Sequence, residues 1–270
     1  MAQREGSRGL AVVADWARKY PLAPRWRREE LLWLSAADGV PISAARLTGP
    51  PDAPAVVVLV HGFLNSSRSP LVHGFARMLA ARAHVVAPDL RGHGRSGGRV
   101  TLGALEPLDV DAAVGAAREA WPDLPVVTVG TSLGGIAVLR HAGLVGGVAG
   151  TVAISAPAYY DPETRHGARR LTRFVESRAM RQVAARLLRT RVGLLPPVDD
   201  MAVAVSAIAP AFTIVVHDPD EDFFGEEHAR AIYDAARQPK DLWLIPGAGH
   251  GSDVLTADLA DRLLAAVASL

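Results

Sequence analysis

The chain has 270 residues, of which 49% are hydrophobic and 21% charged, and its formal net charge at pH 7 is +1. This composition excludes a disordered chain, and the near-neutral charge gives no sign of a nucleic-acid partner. The chain contains no cysteine, which excludes disulfides, cysteine-ligated zinc and a thiol nucleophile.

Residues 1–28 form an N-terminal extension before the first predicted strand. Its least polar stretch, residues 10–20, is interrupted by Asp15, Arg18 and Lys19, which is typical of neither a signal peptide nor a membrane span. We therefore expect a cytoplasmic protein without an integral membrane span. The extension mixes aromatic and basic residues, which suits either contact with a membrane interface or an ordinary helix packed on the outside of the domain.

Short apolar runs alternate with amphipathic stretches along the rest of the chain. Residues 30–35 and 41–47 flank the turn signal Asp38-Gly39 and predict an antiparallel hairpin at a sheet edge. Six later runs are apolar on both faces, as the buried strands of a parallel sheet are: residues 55–60, 84–87, 126–129, 151–154, 212–216 and 242–245. The stretches between them predict helices at residues 71–82, 108–120, 134–144, 226–237 and 256–268. This alternation indicates a mostly parallel sheet with helices on both faces.

Residues 158–209 break the alternation, because they contain no buried strand pattern. Nine arginines lie between Arg165 and Arg191, in a helical pattern. We interpret the segment as a small helical lid inserted into a core formed by residues 29–157 and 210–270. Its arginines would meet an anionic substrate such as a coenzyme A thioester, or form a solvated helix face. Its apolar positions would line a site for an apolar acyl group, or only pack the lid onto the core; they include Phe174, Met180, Leu187 and Leu188.

Residues 130–134, Gly-Thr-Ser-Leu-Gly, form a G-x-S-x-G motif between a predicted strand and a predicted helix. This context predicts a nucleophile elbow, in which Ser132 lies on a sharp turn and small neighbours let the helix approach the strand. The N-terminus of the following helix supplies partial positive charge and free N–H groups for an oxyanion. The alternative is a glycine-rich turn in which the serine only caps the helix.

His61, Gly62 and Phe63 follow the first buried run. A turn at this strand end can direct a backbone N–H towards the site, so we predict an oxyanion hole formed by the N–H groups of Phe63 and Leu133. The alternative is a simple strand-end turn with a packed histidine.

His250 lies among glycines directly after the last apolar run. Because histidine titrates near neutrality, it can take a proton from the serine and return it. The alternative is a solvated loop histidine, but the position at a strand's carboxyl end favours a general base.

A carboxylate should orient this histidine. The loop after residues 212–216 is the best place for it, and four acids compete there: Asp218, Asp220, Glu221 and Asp222. Asp161, after residues 151–154, is an outside candidate.

Taken together, the motifs resemble those of the α/β-hydrolase superfamily, from about residue 30 to the C-terminus. The matching motifs, in order, are HGF at 61–63, PDLRGHGRS at 88–96, GTSLGG at 130–135 and the GxGHG loop that ends at Gly251. The resemblance implies an α/β-hydrolase fold with a mostly parallel eight-stranded sheet and a lid after the sixth strand. It also implies the chain order nucleophile, acid, histidine, and an oxyanion hole from Phe63 and Leu133.

The same resemblance ranks the acids. Many relatives read H-G-x-x-D after the seventh strand, and here that register runs from His217 to Glu221, with Asp218 in place of the glycine. Glu221 therefore occupies the acid position and is the first choice, with Asp220 and Asp222 as alternatives one residue away.

A serine nucleophile implies acyl transfer through an acyl-enzyme, with water as the usual acceptor. We predict a carboxylesterase-like serine hydrolase that acts on a small-molecule acyl ester and needs no cofactor or metal ion. The alternatives are a thioesterase, acyltransferase or C–C hydrolase with the same triad, or a non-catalytic binding protein on this fold.

Overall fold

The computed structural model describes residues 29–159, 165–193 and 201–269. The N-terminal extension and Asp161 therefore lie outside the described residues. The strands are β1 Glu30–Ser35, β2 Pro41–Leu47, β3 Val56–Val60, β4 His84–Pro88, β5 Val126–Thr131, β6 Gly150–Ile154, β7 Phe212–His217 and β8 Lys240–Leu244. The α-helices are α1 Pro70–Leu79, α2 Glu106–Ala120, α3 Leu133–Leu144, α4 His166–Glu176, α5 Arg178–Leu187, α6 Met201–Ser206, α7 Glu226–Ala235 and α8 Ala257–Val267, and a short 3₁₀ helix spans Gly251–Val254.

These strands form one eight-stranded sheet in the order β1-β2-β4-β3-β5-β6-β7-β8. Strand β2 is antiparallel to both of its neighbours, and every pairing from β4 to β8 is parallel. The predicted hairpin is present at the sheet edge, with Trp33 opposite Ser43 and Gly39 at φ 80° in the turn. The prediction of a mostly parallel eight-stranded sheet is confirmed.

Helices cover both faces of the sheet, as predicted. Because side chains alternate along a strand, Val57 and Leu59 of β3 pack on one face with α1 and α8. Val56 and Val58 pack on the other face with α2 and α3. A third apolar cluster joins α3, α6 and α7 to β6 and β7.

The range 158–209 contains α4, α5 and α6 among its described residues. Helix α6 buries Met201 and Val205 against α3 and α7. Helix α5 instead leaves Val183 43% and Leu187 68% exposed, so these two apolar positions do not pack onto the core. The division into core and lid stays a prediction.

The topology places the candidate residues together. Strands β3 to β8 are parallel, so their carboxyl ends meet at one edge of the sheet, where ligands of such sheets bind. The loops after β3, β5, β7 and β8 carry the predicted oxyanion donors, nucleophile, acid and base. Within the described ranges, no helix has both the length and the apolar character that crossing a membrane requires.

Candidate active site

Ser132 lies on a sharp turn between β5 and α3, with φ 50° and ψ −113°. This is a conformation that a residue with a Cβ rarely adopts, and its N–H donates to the carbonyl of Ile154 at 2.8 Å. Close backbone contacts surround the turn: a Cβ on Gly130 would lie 2.2 Å from the carbonyl oxygen of Gly134, and one on Gly134 would lie 2.4 Å from that of Val60. The glycines of the motif are therefore required by the approach of helix to strand.

The structure brings three of the predicted residues into a row. Nε2 of His250 lies 3.1 Å from Oγ of Ser132, and Nδ1 of the same ring lies 2.9 Å from Oε2 of Glu221. The contact between Nδ1 and Glu221 is short but does not have hydrogen-bond geometry, and catalytic hydrogen bonds often become well aligned only when substrate binds. Ser132 and His250 are half-buried, whereas the Glu221 side chain is fully buried.

Glu221 is fixed by the backbone that follows it. Its Oε2 accepts the N–H of Phe223 at 2.9 Å and its Oε1 accepts the N–H of Phe224 at 3.0 Å. The Phe223 ring stacks on the His250 ring with centroids 4.3 Å apart. The loop after β7 therefore supplies both the carboxylate and an apolar wall for the histidine.

Asp218 contacts the histidine loop in a different way. Its carboxylate accepts the backbone N–H groups of Gly247 at 3.2 Å, Gly249 at 2.7 Å and Asp220 at 3.0 Å. Burial raises the pKa of Asp218, but these backbone hydrogen bonds outweigh burial and leave the pKa below its ordinary value. Asp218 thus holds the loop that presents His250 without facing the ring.

The two remaining acids of the loop point elsewhere. Asp220 and Asp222 are exposed, and Asp222 pairs with Arg170 on α4 at 3.4 Å. Of the four acids predicted in this loop, Glu221 is the one that the structure places against His250.

Ser155 was missed by sequence reasoning. It follows β6 with φ 51°, its N–H donates to the carbonyl of Val216 at 2.9 Å, and its hydroxyl accepts the N–H of Gly251 at 3.1 Å. Asp218 and Ser155 therefore bind the backbone on either side of His250. A serine after an apolar run was the available signal, but its hydroxyl contact depends on a loop 96 residues away.

Two buried histidines shape the loop after β3. Nε2 of His61 accepts the N–H of Leu90 at 3.0 Å, and Nε2 of His93 accepts the N–H of Leu64 at 3.2 Å. Burial lowers the pKa of both rings, and that of His93 well below the ordinary value. Both are neutral packing residues, and His93 anchors the backbone directly after Phe63.

The predicted oxyanion donors belong to two segments that meet near Ser132. Leu133 is the first residue of α3, so its N–H belongs to the helix end that has no intrahelical acceptor. Phe63 follows Gly62, where a Cβ would lie 3.4 Å from the Cβ of Ser132. The backbone at Gly62 therefore passes close to the serine. Within the described ranges, no group of three or more acidic or histidine side chains is arranged to hold a metal ion.

Comparison with known proteins gives one family match and many structural ones. Residues 51–193 match the family described as serine aminopeptidase S33, a range that includes Phe63 and Ser132 but not Glu221 or His250. The chain is also 38% identical over 110 residues to a monoacylglycerol lipase from Mycolicibacterium smegmatis. That alignment covers 40% of this chain and 39% of the lipase, so the chain spans about two fifths of the length of this curated relative.

Solved structures match over nearly the whole chain. The esterase Pf2001 from Pyrococcus furiosus superposes with a TM-score of 0.71 at 19% identity, covering 92% of this chain and 97% of the esterase. The esterase RhEst1 from a Rhodococcus species gives a TM-score of 0.66 at 18% identity, covering 89% and 99%. At these identities the likeness concerns the fold, and it agrees with the sheet order described above. The family match covers more than half of the chain, and by that match the chain belongs to the α/β-hydrolase superfamily, and within it to the serine aminopeptidase S33 family.

Proposed function

We propose that the protein is a serine hydrolase that cleaves carboxylic esters through an acyl-enzyme intermediate. The observation that carries the proposal is the row formed by Ser132, His250 and Glu221, with separations of 3.1 Å and 2.9 Å. The three residues occur in the chain order nucleophile, acid, histidine, and the serine lies on a strained turn at the start of a helix. This is the arrangement that activates a serine hydroxyl for attack on an acyl carbon.

In the first half of the reaction, Oγ of Ser132 attacks the ester carbonyl carbon while Nε2 of His250 takes the hydroxyl proton. Glu221 holds the Nδ1 side of the ring and stabilises the imidazolium that forms. The N–H groups of Phe63 and Leu133 stabilise the oxyanion of the tetrahedral intermediate. When the intermediate collapses, the ester C–O bond breaks and His250 gives its proton to the leaving alcohol.

The second half repeats these roles with water. His250 takes a proton from a water molecule that attacks the acyl carbon, and the bond to Oγ of Ser132 then breaks as the serine recovers its proton. The free carboxylic acid leaves, and the site returns to its starting state. The stacking of Phe223 on His250 limits the motion of the ring between the two proton transfers.

For the substrate we propose a carboxylic ester with an apolar acyl group, such as a monoacylglycerol. Phe174 of α4 and Phe63 meet edge to face, with centroids 6.3 Å apart, which places an aromatic pair beside the proposed oxyanion loop. The monoacylglycerol lipase relative supports the same class. We also propose that the range 158–209 acts as a helical lid over this site.

The test is labelling with a fluorophosphonate, combined with hydrolysis of p-nitrophenyl esters of graded acyl length. Ser132→Ala, His250→Ala and Glu221→Gln are compared with Asp220→Asn, an exposed acid of the same loop. We expect Ser132→Ala to abolish labelling and lower kcat by about a millionfold, and Glu221→Gln to lower kcat by about 10⁴-fold. Asp220→Asn should match the wild type.

The acyl preference is tested with a monoacylglycerol, an acyl thioester and an aminoacyl p-nitroanilide, the last because of the family's description as aminopeptidases. Faster turnover of the monoacylglycerol and of long p-nitrophenyl esters supports the proposed substrate class. Preference for the thioester or the anilide at an active Ser132 would contradict ester specificity but not the serine mechanism. Absence of labelling and of turnover in the wild type would contradict the whole proposal.

A further inference from the structure

The start of helix α4 contacts the loop that carries Glu221. Arg165, at the N-cap position of this helix, donates from one Nη to the carbonyl oxygen of Glu221 at 2.6 Å and from the other towards the carbonyl of Pro219 at 3.5 Å. The planar guanidinium presents its donors as a rigid fork, which suits two neighbouring carbonyls better than a lysine ammonium does.

A second contact joins the same two segments. The N–H of Gly167 donates to the carbonyl of Asp222 at 3.0 Å. A Cβ on Gly167 would lie 2.8 Å from that carbonyl oxygen and 2.8 Å from the ring of Phe223, which stacks on His250. The helix therefore approaches the acid loop as closely as its backbone allows.

This attachment matters because of how Glu221 is held. The hydrogen bonds to its carboxylate from Phe223 and Phe224 come from its own loop, so they fix the carboxylate relative to that loop. They do not fix the loop relative to His250. Arg165 binds the loop at the backbone of Glu221 itself, from a segment 56 residues away.

We propose that Arg165 is a positioning residue, which holds the backbone at Glu221 so that the carboxylate stays within reach of Nδ1 of His250. The inference rests on the proposed function. Its consequence is that the position of helix α4, which lies in the proposed lid, is coupled to the acid of the triad and not only to substrate entry.

Arg170 offers a matched control on the same helix. Its guanidinium pairs with the side chain of Asp222 at 3.4 Å, with the two side chains 56% and 74% exposed. Exposed pairs of this kind contribute little. Both arginines carry the same charge and contact the same loop, but only Arg165 binds the backbone of Glu221.

The experiment measures kcat and KM for p-nitrophenyl esters in Arg165→Ala, Arg165→Lys and Arg170→Ala, each made in the wild type and in Glu221→Gln. We expect Arg165→Ala to lower kcat about tenfold, the size of a lost hydrogen bond from a charged donor, with little change in KM. Arg165→Lys should recover part of the loss, and Arg170→Ala should change kcat by less than about twofold. In the Glu221→Gln background, Arg165→Ala should not lower kcat any further, because the effects of residues that act as a unit are not additive.

Thermal unfolding midpoints verify that each variant is folded, and Arg165→Lys, which keeps the charge, carries the test if the alanine variant does not fold. The inference is wrong if Arg165→Ala lowers kcat as much in the Glu221→Gln background as it does in the wild type. It is also wrong if Arg170→Ala lowers kcat as much as Arg165→Ala does. If Arg165→Ala keeps full activity while Glu221→Gln loses activity, the inference about Arg165 is wrong and the proposed function stands. A wild type that turns over no ester would overturn the proposed function together with it.

Discussion

The carboxylate of Asp218 accepts the backbone N–H of Gly249 at 2.7 Å, so an acid that does not face His250 holds the loop that presents it. Three residues later in the same loop, the carboxylate of Glu221 lies 2.9 Å from the histidine ring. Two acids at the end of one strand thus fix the histidine at its backbone and at its side chain. The first two predictions concern the Asp218 carboxylate, which binds the backbone of the histidine loop.

Replacing Asp218 should slow the proposed ester hydrolysis while leaving Ser132 in place. In Asp218→Asn one oxygen becomes an amide nitrogen, which cannot accept the N–H of Gly247 or Gly249. The loop then holds His250 less firmly, and we expect kcat to fall about tenfold for the loss of one buried hydrogen bond to a charged group, with KM changed little. Asp220→Asn is the control from the same loop. Equal kinetics of the two variants would show that the loop needs no carboxylate at position 218.

The same carboxylate should make stability depend on pH. Burial raises the pKa of Asp218, but its backbone hydrogen bonds bring the folded value below the ordinary value of 3.8. A lowered folded pKa contributes stability that is present above the unfolded pKa and is lost as pH falls through the folded pKa. We expect the wild type to be more stable than Asp218→Asn at neutral pH, with the difference shrinking as pH falls below the ordinary value. Urea unfolding of both proteins across acid pH measures this difference, and a gap that is constant with pH would contradict it.

The backbone strain at Ser132 predicts a stabilising substitution that destroys activity. Its φ of 50° and ψ of −113° lie in a sparsely populated region that costs a residue with a Cβ roughly 1–3 kcal/mol, whereas glycine adopts such angles freely. We expect Ser132→Gly to raise the free energy of unfolding by about 1 kcal/mol relative to Ser132→Ala, which keeps the Cβ and serves as the control. Chemical denaturation measures both. Identical stabilities would mean that the turn is not strained in solution.

The fold could be predicted where a strand is buried on both faces, because such a strand is a continuous apolar run in the sequence. Strands β3 to β7 lie between helix layers, so both of their faces must be apolar and their runs stand out. The last strand was predicted at residues 242–245, but β8 spans Lys240–Leu244. It is the edge strand, where Asp241 is exposed, and an edge strand can pair through its backbone without an apolar side chain at each position.

The residues of the candidate site also differ in whether a sequence pattern marks them. Ser132 and His250 lie in local motifs at strand ends, and parallel strands bring such ends together. Asp218, Ser155 and Arg165 act through contacts with backbone groups from distant loops. Any residue of the receiving loop offers a similar N–H or carbonyl, so no pattern in the sequence marks these partners.

A buried ion pair anchors the loop after β4, which carries His93. The Arg91 side chain is 2% exposed, and its Nη2 lies 2.7 Å from Oδ1 of the fully buried Asp109 on α2. Its Nη1 also reaches the partly exposed Asp38 in the hairpin turn at 2.7 Å. The guanidinium therefore ties three separate segments together beneath the loop that anchors Leu64.

Replacing one member of this pair should lower the free energy of unfolding more than replacing both members. Arg91→Met leaves Asp109 buried without its cation, and we expect the free energy of unfolding to fall by about 3–5 kcal/mol. The double variant Arg91→Met/Asp109→Leu removes both charges and should recover most of that loss, because neither member of the pair is then left buried without its partner. Asp38→Ala, which removes the more exposed partner, should cost about 1 kcal/mol or less. Urea unfolding of the wild type, Arg91→Met, Asp109→Leu and the double variant gives the coupling between the two sites, and a double variant as unstable as the sum of its single changes would mean that Arg91 and Asp109 contribute independently.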